Sequence, residues 1–89
     1  DNNEPNPQVL NQLGLCKMNL EDYQGALTAF QAAMNVENNG MMQTLKMNEI
    51  IAYEYLGEYR QAEVLMGSYL KNYPDDQVAK REHTFLQTR

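Results

Sequence analysis

The chain has 89 residues, 43% of them apolar and 21% charged, with three Pro, five Gly, one Cys and one His. That length fits one domain with a thin core, and the apolar fraction excludes wholesale disorder. A lone Cys beside a lone His excludes an intramolecular disulfide framework and a Cys/His zinc site. Seven Lys plus Arg against 12 Asp plus Glu give a net charge of −5 at pH 7, the wrong sign for a phosphate-binding face, so no nucleic-acid partner is expected. No apolar run approaches the roughly 18–20 residues that span a membrane, so direct insertion by this segment is not expected either.

The opening Asp1-Asn-Asn-Glu-Pro is neither a start methionine nor a signal peptide, which reads as a mature chain or a piece of a longer one. Asn6 is placed to cap a first helix beginning at Pro7, where the missing N–H costs nothing. Val9, Leu10, Leu13, Cys16 and Leu20 recur at helical spacing and mark the core face of that helix, with Cys16 a small buried apolar residue. Asn19–Asp22 breaks the pattern, and Asp22 is placed to cap a second helix that buries Tyr23, Ala26, Leu27, Phe30, Ala33 and Met34. Asn38-Asn39-Gly40 ends it, since Asn and Gly accept the left-handed conformation that closes helices.

From Asn19 onward the sequence repeats. Asn19-Leu-Glu-Asp-Tyr-Gln-Gly-Ala26 aligns with Tyr55-Leu-Gly-Glu-Tyr-Arg-Gln-Ala62 at an offset of 36 residues, pairing Phe30 with Met66 and Met34 with Leu70 without a gap. The second unit accordingly predicts a helix carrying Leu45, Ile50 and Tyr53, a bend at Gly57, and a helix burying Tyr59, Ala62, Leu65, Met66, Tyr69 and Leu70. Pro74 stops that helix. Asp75 or Asp76 then caps a fifth helix to about Thr88, whose basic residues (Lys80, Arg81, with Arg89 beyond) suit a C-terminal helix dipole. Met41-Met42 covers the seam between the units. No segment alternates as a strand would, so the fold is all-α.

Units of this kind resemble the tetratricopeptide repeat. The first matches at Leu13-Gly14, Ala26, Phe30 and Ala33, and the second at Tyr53, Ala62 and Pro74. Lys17, Asn38, Lys46, Glu49, Ile50, Met66 and Tyr69 depart from the pattern. The resemblance implies an α-solenoid of five helices in a single domain spanning 1–89: repeat one over about 7–40, repeat two over about 41–74, and a capping helix over about 76–88. Phe30 and Met66 would then fill the space between paired helices, and Gly14 with the Ala residues would let helices approach closely.

The same resemblance implies a concave groove lined by the first helix of each unit. Its register places Gln8, Asn11, Leu15, Met18 and Asn19 there from unit one, and Thr44, Met47, Asn48, Ile51, Glu54 and Tyr55 from unit two. Helical spacing independently puts Met47, Ile51 and Tyr55 on one stripe, away from Ile50 and Tyr53. A peptide or protein segment is the expected ligand. The family's carboxylate-binding subtype asks for cations and Asn where this chain has Asn11, Leu15, Val78 and Glu82, so an anionic tail is not expected. Glu49, in place of a buried Leu, needs a partner: a Tyr hydroxyl or Lys46.

Ser68, Cys16 and His83 are singletons and the Gly residues isolated, so neither catalysis nor a cofactor is expected. The functional expectation is a non-catalytic interaction module of bacterial general look. The alternative is a structural stacking or self-association segment acting through its open ends, in a chain that is cytoplasmic or exported with a lipid anchor.

Overall fold

The computed structural model describes residues 6–36 and 38–87. They form five helices in chain order: α1 (Pro7–Asn19), α2 (Tyr23–Met34), α3 (Met42–Tyr55), α4 (Tyr59–Asn72) and α5 (Gln77–Gln87). Each packs principally on its chain neighbours, α1 on α2 through α4 on α5, in an elongated body of 45 × 27 × 16 Å. The expected residues set most boundaries. Asn6 accepts from the N–H groups of Gln8 and Val9 at 2.9 and 3.2 Å, Asp22 from Gly25 N–H at 3.0 Å, and Asp76, ahead of α5, from Ala79 N–H at 3.0 Å. The expected end of the fifth helix at Thr88 lies outside the described residues.

The helix ends carry the repeat more faithfully than the helix faces do. Leu20 and Leu56 are the C-caps of α1 and α3, and 36 residues separate them. Each is followed by a residue in the left-handed region, Glu21 at φ 62° and Gly57 at φ 80°. Behind these, Asp22 N–H bonds the Lys17 carbonyl at 2.8 Å and Glu58 N–H bonds that of Tyr53 at 2.9 Å, so both bends close with the same hydrogen-bond ring. At the end of α2, Asn38 and Gly40 take the left-handed conformation. Asn39 does something else: its side-chain amide donates to the Val36 carbonyl at 3.0 Å while its oxygen accepts from Met41 N–H at 2.7 Å. One side chain thereby ties the close of α2 to the start of α3, and Met41 packs on the core at this seam.

Two buried clusters form the core. Ala26, Leu27, Phe30 and Ala33 of α2 pack with Leu45 and Ala52 of α3, while Ile50 of α3 joins Ala62, Met66 and Tyr69 of α4 and Ala79 and Leu86 of α5. Tyr53 touches both. Phe30 and Met66 are fully buried between helices, as the repeat predicts. The helix α1 departs from expectation. Its buried residues are Asn11 and Gly14, with Leu10 and Met18 packed beside them. Val9 (62% exposed), Leu13 (46%), Cys16 and Leu20 (77%) face solvent instead. The reason lies in α2: the Phe30 ring occupies the α1–α2 crossing so completely that a β-carbon at Gly14 would fall inside its van der Waals envelope. The contact therefore goes to the glycine face, and the larger side chains are turned away.

Tyr59 is more exposed than expected. Glu49 bonds neither a Tyr hydroxyl nor Lys46 but accepts from Gln31 Nε2 of α2 at 3.0 Å. Lys80 and Arg81 stand in the first half of α5 and its last turn carries no basic residue, so the dipole-matching expectation fails within the described residues; Arg89 lies outside them.

Two substitutions test this account by thermal and urea melts. Gly14→Ala should destabilise by about 1–3 kcal/mol, since an added methyl must displace a fully buried ring; an unchanged midpoint would refute the crossing. Glu21→Gly should stabilise by up to about 1 kcal/mol, because it relieves a left-handed residue where unit two already has Gly57.

Candidate functional site

Met47, Ile51 and Glu54 recur at i, i+4 and i+7 on α3 and therefore share one face. They meet Val78 and Glu82 of α5, Asp76 just before it and Met66 of α4 around a cavity of about 370 Å³. Four apolar side chains (Met47, Ile51, Met66 and Val78) and three carboxylates line it. Val78 is largely exposed on this side, whereas Met47 also packs on the second core cluster.

The other expected groove residues are distributed differently. Asn11 is buried, and its side-chain oxygen accepts from Asn48 Nδ2 at 2.8 Å. The amide pair is a strut between α1 and α3, which explains a polar side chain in the core. Met18 packs against the first core cluster. Tyr55 stacks on Tyr23 of α2, with ring centroids 5.1 Å apart and planes 15° from parallel. Thr44 and Leu15 stay exposed outside the cavity, and Gln8 and Asn11 border a separate hollow with Val9, Gln12 and Met41. Three of the eleven candidates thus converge, joined by four residues that the α3 pattern did not reveal.

A register signal could have found the missing ones. The buried residues Leu45 and Ala52 of α3 correspond to Ala79 and Leu86 of α5, an offset of 34 residues. In that register Val78 and Glu82 are the α5 counterparts of Thr44 and Asn48. Leu15, Ile51 and Phe85 likewise occupy equivalent positions on α1, α3 and α5. Leu15 is 38% and Phe85 55% exposed, with Ile51 half-buried.

Tyr69 and Asp76 hold α5 where it can form this cavity. The Tyr69 hydroxyl donates to Asp76 Oδ2 at 2.6 Å and accepts from Gln43 Nε2 at 3.0 Å, while the other Asp76 oxygen caps α5. Burial, and then the bond to Asp76, raise the Tyr69 pKa above the usual phenol value. The Tyr69 hydroxyl, and then the Ala79 N–H, hold the Asp76 carboxyl below the usual carboxylate range.

Elsewhere, Ser68 and His83, expected as isolated residues, border one open hollow between α4 and α5 with Arg60, Glu63 and Lys71. Among the described residues no group of three or more His, Cys, Asp or Glu side chains could hold a metal ion, and no helix is long and apolar enough to cross a membrane.

The Tyr69–Asp76 bond gives a pH prediction. A lowered Asp76 pKa contributes stability that is present above its unfolded value and lost as pH falls through the folded one, below about pH 4. A raised Tyr69 pKa contributes stability that is present below about pH 10 and lost as pH rises through the folded value. Denaturation midpoints should therefore fall at both extremes, and Asp76→Asn should lower the neutral plateau and flatten the acid limb. Parallel acid limbs in the two proteins would refute the coupling.

Comparison with known proteins gives no match to a family model, to a curated protein or to a solved structure.

Proposed function

We propose that the chain is a non-catalytic protein-interaction module that holds a peptide or protein segment against α3 and α5. In this reading the helices are two helix-turn-helix repeats of a tetratricopeptide-like solenoid closed by α5, and the ligand lies along the face formed by the first helix of each unit. The observation that carries it is the cavity lined together by Met47, Ile51, Met66 and Val78 and by the carboxylates of Glu54, Asp76 and Glu82. Its volume of about 370 Å³ lies at the small end of the range of ligand pockets and is large enough to take an anchoring side chain of a bound segment.

The chemistry of the lining favours some segments over others. Methionine is flexible and polarisable, so Met47 and Met66 can repack around anchors of different shape. The carboxylates disfavour an acidic segment by like-charge repulsion. Apolar contact with the cavity lining would supply affinity, at about 25 cal/mol per Å² removed from water before the entropic cost of ordering the peptide.

Ile51→Glu tests this. Ile51 is half-buried at the cavity rather than inside either core cluster, so the variant should keep its helical ellipticity. Peptides selected on the wild-type protein from a random display library should lose at least about tenfold in affinity for the variant, or ~1.4 kcal/mol. Selected peptides that bind both proteins equally would place the binding site elsewhere. An unfolded variant would put Ile51 in the core and remove the site.

A further inference from the structure

The exposed stripe on α1 is the strongest unexplained feature of the molecule, and the internal repeat identifies what belongs on it. At the 36-residue offset, Val9, Leu13, Cys16 and Leu20 correspond to Leu45, Glu49, Ala52 and Leu56 of α3. The first three of these α3 residues form the face that packs on the preceding helix, with Leu45 and Ala52 fully buried in the α2–α3 cluster and Glu49 accepting from Gln31 of α2, while Leu56, the C-cap, stays exposed. The opposite face of α1 is already taken, since Gly14, the counterpart of Ile50, packs on Phe30 as Ile50 packs with Met66. Thus α1 has the two packing faces of an internal helix, with only one covered.

The outward face of α5 differs from that of α1. In the 34-residue register α5 uses Ala79, His83 and Leu86 against α4, where His83 Nε2 lies 3.5 Å from the position of a β-carbon on Gly67. Gly67 is the repeat counterpart of Gln31, so α4–α5 packing reproduces α2–α3. The face that α3 presents to its following helix carries Met47, Ile50 and Tyr53, and its α5 counterparts are Arg81, Thr84 and Gln87, all exposed. A polar outer face resembles that of a capping helix in a repeat stack. The outward row of α5 is polar, whereas the outward row of α1 is apolar.

We propose that the Val9–Leu13–Cys16–Leu20 face of α1 is a docking surface for the second helix of one further helical pair, set ahead of α1 in the same chain and built like α1–α2. A second copy of this chain does not supply that helix, because its α2 and α4 are already covered by α3 and α5. Repeat spacing fixes the geometry: the connector over 35–41, which brings α2 onto α3, is the length of link the added pair needs. The inference is independent of the cavity between α3 and α5.

The test is a tandem protein in which residues 1–40 are joined to residues 5–89. This inserts one 36-residue unit and places a second α2 ahead of the original α1. With Cys16→Ser in the added unit, the original Cys16 is the only thiol. Its reaction with 5,5′-dithiobis(2-nitrobenzoate) should slow at least about tenfold relative to the parent chain, reflecting protection by packing, and helical ellipticity should rise by the added pair. Introducing Val9→Lys and Leu13→Lys on the original α1 of the tandem should restore fast labelling while α1–α2 stays folded. Labelling at the parental rate, or an added pair that gains no helicity, would overturn the proposal. So would parent-chain labelling that slows with rising concentration as sedimentation shows a dimer, since the occupant would then be a second copy.

Discussion

The crossing of α1 on α2 at Gly14 and Phe30 governs how the molecule is assembled. A phenyl ring fully buried between two helices requires one of them to come close without a side chain of its own. Gly14 meets that requirement and fixes the rotation of α1 about its axis. Once the rotation is fixed, Asn11 is driven into the core, where it must be hydrogen-bonded, and Asn48 on α3 is the group that satisfies it. The same rotation carries Val9, Leu13, Cys16 and Leu20 outward. The buried amide strut and the exposed apolar stripe share one cause.

Helix positions were legible in the sequence because they depend on local chemistry. Asn6, Asp22 and Asp76 cap through their own side chains, and the repeated bend needs only a residue that tolerates positive φ after Leu20 or Leu56. The faces of α2 and α4 were legible too, because one amphipathic stripe leaves no choice of orientation. The helix α1 has two competing stripes, one of large apolar residues and one of Asn11, Gly14 and Met18. Reading by hydrophobicity selects the first. What decides between them is the shape of Phe30, sixteen residues away, which no periodicity within α1 encodes.

The site was legible in proportion to how far a single helix carries it. Met47, Ile51 and Glu54 fall on one face of α3 by spacing alone. Their cavity mates on α5 required the register between helices, and that register changes from 36 residues within the repeat to 34 between α3 and α5. Pro74 and the Tyr69–Asp76 bond fix the later interval. Tyr69 anchors in the core and grips the residue that caps α5, so one buried hydroxyl determines where α5 begins and which of its side chains reach the cavity. Glu49 follows the same logic. Its partner Gln31 lies on another helix, and neither residue's own neighbourhood announces the pair.

The two ends of the stack therefore divide its surfaces. At α5, polar Arg81, Thr84 and Gln87 meet water where an internal helix would carry core residues, so growth in that direction would bury charge without compensation. At α1, aliphatic side chains meet water where core residues would be covered, so growth in that direction removes apolar area from solvent. The cavity is built by α3, α4, α5 and the residue ahead of α5, with no contribution from α1. Covering the α1 stripe would add buried surface at one end without touching the cavity lined by Met47, Ile51 and Val78. A repeat stack gains stability through nearest-neighbour contacts, so a unit docked on α1 would stiffen the helix that bears Asn11, and through its bond to Asn48 the helix that bears the cavity. The α1 stripe and the α3–α5 cavity are separate surfaces, joined through the first core cluster and the buried Asn11–Asn48 amide pair.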